Sequence, residues 1–568
     1  MTGSKIYATQ PRQTAQIKFS DGQILEGPLN TTIEAFVKAG DFPPDPMPMA
    51  CLVNGQLREL TYHADRDLNV HILTLANSDG MRVYRRSLSF LLVYVAQELF
   101  PEAEILIDYG LNFGGLYCEV ENHPPFTKAE LKQIEARMQA LVEADLPIIK
   151  ERIPLDQART LLKEQGADDK LRLLKARRKP YITMYSLKDF KGYMHGYMVP
   201  STGYLTTFAL DRYLDGLVLR YPRTSLPDRL QARVDYPKLV SVFNEYSDWM
   251  AKLGVKDVGA LNEVVTGGNL LETVLVSEAL QEQRIAQIAT LLSSVAQQVR
   301  LVLISGPSSS GKTTFSKRLA IQLMAHGIQP VALGLDDFLV EREDTPLDEE
   351  GDYDYESLYA QDLALFNDTL LRLKDRERVT LPHYNFLTGR REQGDTISIT
   401  DEHILIIEGI HGMNPDLVPH IPPEKIFRIY VSALTQLNLD RHNRVATTDT
   451  RLIRRIIRDA SHRGYSAKDT ISRWPKVRRG EYSWIFPYQE NADVMFNSAL
   501  VYELAVMKPL VEPLLLQIEP GKPEHIEAKR LLSFLQWFEP CSSDLVPDNS
   551  LLREFIGGSI LRTYYARG

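Results

Sequence analysis

Nine consecutive residues, Gly306, Pro307, Ser308, Ser309, Ser310, Gly311, Lys312, Thr313 and Thr314, satisfy the pattern G-x-x-x-x-G-K-[ST]. Small residues at this spacing let backbone N–H groups curl around phosphate oxygens, and a helix opening behind them adds a favourable dipole potential. The chemistry this suits is nucleotide phosphate handling. Lys312 is expected to be a solvent-facing lysine that reaches the β- and γ-phosphates of ATP, and the Thr313 hydroxyl is expected to ligate Mg²⁺. A chance Gly/Ser-rich turn would lack the right flanks. Here the apolar run RLVLISG precedes the loop as a buried strand, and TFSKRLAIQL follows it as a helix.

Acids come next. LGLDDF carries Asp336 and Asp337, and LIIEG carries Glu408, each at the end of an apolar run that reads as a strand. Ligands gather at the carboxyl ends of parallel strands. One such acid is suited to Mg²⁺, and another to accepting a proton from an acceptor hydroxyl. The segment RLIRRIIRDASHRG then places Arg451, Arg454, Arg455, Arg458 and Arg463 on one expected helix. A solvated basic face is the ordinary explanation for such a run. Beside a phosphate loop, these guanidiniums suit a lid that neutralises transferring phosphoryl charge.

The elements that position these residues read as a multidomain α/β chain. At 568 residues it exceeds what one core organises. Runs such as HILIIEGI, KIFRIYVSA and ADVMFNSA alternate with helices after residue 300, in the rhythm of a parallel sheet. Upstream, QIKFS with Asp21-Gly22 and ACLVNGQLREL around Asn54-Gly55 read as hairpins of a small β-rich module. RRSLSFLLVYVAQELF has helical periodicity. FTKAELKQIEARMQALVEADLPIIKERI is expected to form a polar helix pair capped at Thr127. The expected boundaries are 1–76, 77–225, a helical connector at 226–298, a phosphate-loop domain at 299–500 and a helical segment at 501–568. The net charge of −9 disfavours a globally basic nucleic-acid binder. Three scattered cysteines suggest neither a disulfide framework nor a thiolate zinc site. With no signal-peptide pattern and no long apolar run, a cytoplasmic enzyme is expected.

From about Arg300 to Ser498 the chain resembles the uridine kinase and phosphoribulokinase family, on GPSSSGKTT, LDDF, DYDYESLY, LPHYNF, IIEGIHG and LIRRIIRDASHRG in that order. The resemblance implies a P-loop parallel-sheet domain that phosphorylates a hydroxyl with ATP and Mg²⁺. It implies Asp336 as base, with Asp337 on the other side of an extended strand. It also implies Glu408 as the magnesium-associated acid, Asp354 as the ribose-holding aspartate and Tyr384 beside the base. Arg455 falls at an acceptor-contacting position, and Arg458 and Arg463 at lid positions. Two positions depart from that pattern. Gly389 stands where uridine kinases carry a histidine that reads the pyrimidine, and Tyr465 stands where they carry an arginine. The resemblance therefore points to a nucleoside or related ribose-type acceptor without naming uridine.

The front half resembles the N-terminal half of threonyl-tRNA synthetases. IKFSDGQ and LVNGQLRELTYHADRDLNVHILTL look like its β-grasp TGS module, and YRRSLSFLLVYVAQELFP and GYMHGYMVPST look like parts of its editing domain. The positions of that domain's metal-binding and catalytic set hold Arg86, Phe90, Met194 and Met198, with His195 out of register. None of the four is an imidazole or a thiolate, and an arginine and a phenylalanine cannot serve as zinc ligands or as a hydrolytic base. This implies an editing-like α+β domain reused for binding, regulation or assembly. Two functions are weighed. The first is a kinase acting on a small molecule with ribose-like hydroxyls. The second is an RNA- or tRNA-associated regulator that uses the phosphate-loop domain as an ATP switch. A switch needs no acceptor pocket, yet Asp354, Tyr384 and Arg455 occupy acceptor positions. No membrane partner is expected, any nucleic-acid contact falls to the front half, and a homo-oligomer is left open.

Overall fold

The structure, a computed structural model, describes residues 10–43, 45–386 and 388–566. It divides into two compact units. One takes in the chain up to Val234 together with Leu439–Arg444 and Glu519–Glu527. The other comprises Asp235–Asn438, Val445–Ile518 and the chain from Ala528 onward.

In the first unit, strand Thr14–Phe19 buries Ala15, Ile17 and Phe19 on alternate positions, as its sequence pattern requires. It pairs antiparallel with Ile24–Pro28 and parallel with Leu68–Thr74. The sheet is completed by Pro48–Val53 and Gln56–Arg58. A seven-residue helix, Ile33–Ala39, is capped by the Thr32 hydroxyl and packs Ile33 and Phe36 onto this sheet. It is too short to show a helical period in sequence. Helix Ser78–Leu99 follows and is largely buried within a second core. A four-stranded antiparallel sheet shares that core, in the order Ala209–Tyr213, Gly216–Arg220, Gly115–Glu121, Glu104–Leu111.

The expected polar helix pair is one helix and one strand. Lys128–Glu143 is helical, with a capping box between Thr127 and Glu130. Ile149–Pro154 is a strand paired with Tyr181–Leu187. Pro147 disfavours helix in the residue before it, and the β-branched Ile148 and Ile149 favour the extended chain.

The second unit holds the parallel sheet. Its strands are β1 (Leu301–Ser305), β2 (Gln329–Gly334), β3 (His403–Glu408), β4 (Ile426–Ser432) and β5 (Val494–Asn497), in the order β2-β3-β1-β4-β5 with every pairing parallel. All five residues of β1 are buried, which explains its unbroken apolar run. From β1 the chain goes to β2 on one side, then returns to β4 and β5 on the other. The carboxyl end of β1 therefore lies at the reversal of strand order, where such sheets open a ligand crevice. Helix α1 (Lys312–Ala325) leaves that end, and helix α2 (Thr447–His462) carries the arginines. The long helix Leu270–Val295 belongs to this unit and contributes Ile285, Ile288 and Leu292 to the core beneath α1.

Candidate active site

The loop between β1 and α1 is shaped by close approach. A Cβ at Gly306 would lie 1.9 Å from the Val431 carbonyl oxygen, so only glycine fits there. Ser309 has φ +59° and Gly311 has φ +85°, which curl the backbone into a concave arc. The Ser309 and Ser310 hydroxyls are buried with no hydrogen-bond partner among the described residues. Lys312 departs from the solvent-facing expectation. It is 8% exposed, and its Nζ donates to the Pro307 carbonyl at 3.3 Å. Its backbone is the first turn of α1, which turns the side chain back over the loop. Burial pushes its amine pKa down, against the opposing pull of Glu408 and Asp336.

Several carboxyl groups act on that lysine's surroundings. Thr313 Oγ1 donates to Glu408 Oε2 at 3.3 Å, so the hydroxyl and the strand-end acid meet as expected. Burial pushes the Glu408 carboxyl up to about 7, against the attraction of Lys312. Asp336 is exposed, and its charge acts on both Lys312 and Glu408. Asp337 turns elsewhere, accepting from Tyr384 N at 3.2 Å and facing His383 Nδ1 at 3.0 Å. The two diverge within a 3₁₀ turn, Leu335–Phe338, not along an extended strand, because β2 already ends at Gly334.

A further carboxyl there is Glu356. Burial pushes it up to about 7, against Arg455 and Lys312, and its Oε2 is buried with no hydrogen-bond partner. Its backbone N–H donates to Asp354 Oδ1 at 3.1 Å, so both acids stand on one tight turn. A Cβ at Gly480 would come within 2.2 Å of the Glu356 Cβ, so that glycine makes room for it. A lone acid in an aperiodic loop carries no sequence signal beyond its neighbourhood.

The arginine helix divides by role. Arg451 and Arg454 are each 1% exposed and brace the loop from below. Arg451 is ion-paired with Glu481 and donates Nε to the Ser308 carbonyl at 2.9 Å. Arg454 holds Glu503 at 2.6 Å and reaches the Ser309 carbonyl at 3.5 Å. They are neither a solvated face nor a lid. The other three gather on Asp459. Arg455 approaches it at 3.3 Å, Arg458 at 3.0 Å and Arg463, one residue past the helix, at 3.8 Å. Three cations on one carboxylate leave a local positive excess, and Arg455 also donates to Ser308 Oγ at 2.7 Å. Asp459, which organises them, carried no signal in sequence.

Tyr384 is buried, edge-on to Phe386 at 5.1 Å between centroids, and burial raises its hydroxyl pKa. Gly389 has φ +71°, and a Cβ there would lie 2.6 Å from Arg342 Nε. Arg342 thus fills the space a side chain at 389 would need, donating to the Phe386 carbonyl at 2.9 Å. Tyr465 lies under the Arg473 guanidinium at 4.1 Å, so one ring face is already covered.

Residues 301–505 match the model of the Phosphoribulokinase / Uridine kinase family. This is the segment that holds β1 to β5 and the loop, so the likeness to that family lies in the parallel sheet and its phosphate loop. The N-terminal region is similar to threonine–tRNA ligases. The Acidithiobacillus ferrooxidans ligase is 36% identical over 166 residues, which is 29% of this chain and 26% of that protein. The Symbiobacterium thermophilum ligase is 29% identical over 196 residues, 34% of this chain and 30% of that one. The chain thus spans about a quarter of the length of the curated relatives it matches. Among solved structures, a possible uridine kinase from Bacillus stearothermophilus is 21% identical and aligns over 38% of this chain and 98% of its own, with a TM-score of 0.27. A Cryptococcus neoformans D-glycerate 3-kinase is 16% identical over 44% and 88%, with a TM-score of 0.21.

In the first unit, Phe90, Met194 and Met198 are buried in the apolar core, and Phe90 packs against Phe190 at 5.3 Å. Arg86 donates to the Tyr197 carbonyl at 2.6 Å. His195 is held by Asn443 Oδ1 on its backbone N–H at 2.6 Å, and its ring meets the Tyr193 hydroxyl at 3.2 Å. Among the described residues one acidic cluster with metal-like spacing, Asp348, Glu350 and Asp352, is ion-paired with Lys476 and Arg479. Among the described residues no helix is long and apolar enough to cross a membrane.

Proposed function

We propose that the P-loop domain transfers a phosphoryl group from ATP to a hydroxyl of a nucleoside or related ribose-type small molecule. The observation that supports this most is the convergence around Lys312. Thr313 and Glu408 lie 3.3 Å apart beneath it, and Asp336 stands exposed at the end of the neighbouring strand. The residues fit a nucleotide with its metal. The unpartnered hydroxyls of Ser309 and Ser310 and the arc from Gly306 to Thr314 suit phosphate oxygens, and the oxygen donors of Thr313 and Glu408 suit Mg²⁺. When bound, ATP supplies the phosphoryl group and Mg²⁺ spreads its charge.

The chain's own groups do the rest. Asp336 accepts the acceptor hydroxyl's proton, and Asp337 is unsuited because its carboxylate is engaged by Tyr384 and His383. Lys312 and the Arg455, Arg458 and Arg463 set stabilise negative charge on the transferring group. Asp354 holds paired hydroxyls of the acceptor, and Tyr384 lines the site beside them. In the first unit, Phe90, Met194 and Met198 serve packing, which supports a binding, regulatory or assembly role over hydrolysis. A cytoplasmic location accords with these substrates. The test is a screen of nucleosides and sugars with ATP and Mg²⁺, reading acceptor-dependent ADP formation. No stimulation by any ribose-bearing acceptor would refute the assignment.

A further inference from the structure

The last stretch of the described chain wraps the phosphate-loop helix. Leu551 and Ala566 share a core with Phe315 and Leu319 of α1. Lys317 donates to the Leu561 carbonyl at 2.8 Å, and the Ala566 carbonyl accepts from Ala332 N on β2 at 3.0 Å. Between these anchors, Phe555 lies beneath the Arg454 guanidinium at 4.9 Å, and Arg553 is tied to the carbonyls of Pro547, Ser543 and Gly557. The residue between them, Glu554, has its backbone fixed on both sides. Its Oε2 accepts the backbone N–H of Thr314 at 3.0 Å.

That N–H belongs to the cradle. Thr314 is the third residue of α1, and its amide is one of the donors that a helix leaves unpaired at its start. Backbone amides of this loop hold the phosphates nearest the nucleoside. A carboxylate on one of them takes a donor and adds negative charge where phosphate oxygens must lie. The charge of Glu554 also acts on Lys312 and Glu408, so it is felt across the site.

We propose that Glu554 is an internal competitor for the nucleotide's phosphates, so that the C-terminal segment holds back nucleotide binding until this side chain turns away. The proposal rests on reading residues 306–314 as the nucleotide site. Release needs only rotation of the Glu554 side chain, since Arg553 and Phe555 keep the backbone in place. A purely structural helix cap is the alternative, because a carboxylate at a helix start is also stabilising.

Glutamine separates the two, keeping an oxygen acceptor for Thr314 N–H while losing the charge. The experiment is calorimetric titration of the full chain with Mg·ATP, comparing wild type, Glu554→Gln, Glu554→Ala and Lys312→Ala. Glu554→Gln should bind about tenfold tighter than wild type, the scale of one charge-assisted hydrogen bond. Glu554→Ala should lower the nucleotide-free melting temperature, and Mg·ATP should restore it. Unchanged or weaker binding by Glu554→Gln overturns the competitor and leaves a cap. Wild-type binding that Lys312→Ala loses keeps the nucleotide site standing even then. If neither wild type nor Glu554→Gln binds Mg·ATP, both readings fall.

Discussion

Two regions of the chain use their side chains in opposite ways. Around Lys312, polar groups are kept although the fold does not satisfy them. The Ser309 and Ser310 hydroxyls and Glu356 Oε2 are buried without hydrogen-bond partners among the described residues, and two carboxyls are pushed up to about 7. Such groups cost stability and persist where a ligand completes them. Around Phe90, Met194 and Met198 the reverse holds. The positions that would carry an editing domain's chemistry are filled by side chains in an apolar core, and Arg86 is spent on a backbone carbonyl. Substitutions should therefore cost activity in the first place and stability in the second.

The largest effect is expected at Lys312. Lys312→Ala should lower acceptor-dependent ADP formation by about a thousandfold, the scale of losing a charge-stabilising donor, with the melting temperature nearly unchanged. Asp336→Asn should lower turnover by about a hundredfold or more, as for other general bases. Asp337→Asn should do less, because its carboxylate is engaged by the Tyr384 backbone and by His383. If Asp337→Asn is the more damaging change, the base is misassigned.

The front half gives the mirror image. Phe90→Ala should cost about 3–5 kcal/mol of stability, the usual range for a buried aromatic. Turnover well below the melting temperature should be retained. Protein purified without chelators should contain no stoichiometric zinc by elemental analysis, and zinc lost on mutating His195 would restore the metal site this comparison removes.

A smaller effect concerns acceptor choice. With Gly389 in place of a side chain and Arg342 in its space, uridine should be preferred over other nucleosides by no more than about tenfold, one good hydrogen bond's worth. Asp354→Ala should lower transfer to all of them alike, leaving that preference unchanged. The smallest effect is in pH dependence. Folding favours the protonated Glu356 carboxyl, raised from its ordinary range near 4.5 to about 7. The stability it contributes is complete below about 4.5 and is lost as pH rises through about 7. Glu356→Gln lacks that loss, so its melting temperature relative to wild type should be higher at pH 8 than at pH 5.

What sequence revealed of this molecule follows physical locality. The phosphate loop was legible because its chemistry and its geometry lie in nine adjacent residues with a strand before and a helix after. The strands of the parallel sheet were legible because burial on both faces leaves unbroken apolar runs. Glu356, Arg342 and Glu554 were not, since each matters through a partner far along the chain. Glu554 touches Thr314 across 240 positions. Lys312 is expected from sequence to face solvent, and its burial against the loop comes from packing that no local pattern records. The strand Ile149–Pro154 hid behind an apparent helix because a polar edge strand and a polar helix share a composition.

The most direct measurement is steady-state ADP formation by wild-type and Lys312→Ala protein with ATP, Mg²⁺ and a panel of ribose-bearing acceptors. We expect wild-type turnover that rises severalfold or more with at least one acceptor and is lost in the variant. Equal ADP release with and without every acceptor, or wild-type turnover in Lys312→Ala, would contradict a kinase built on this loop.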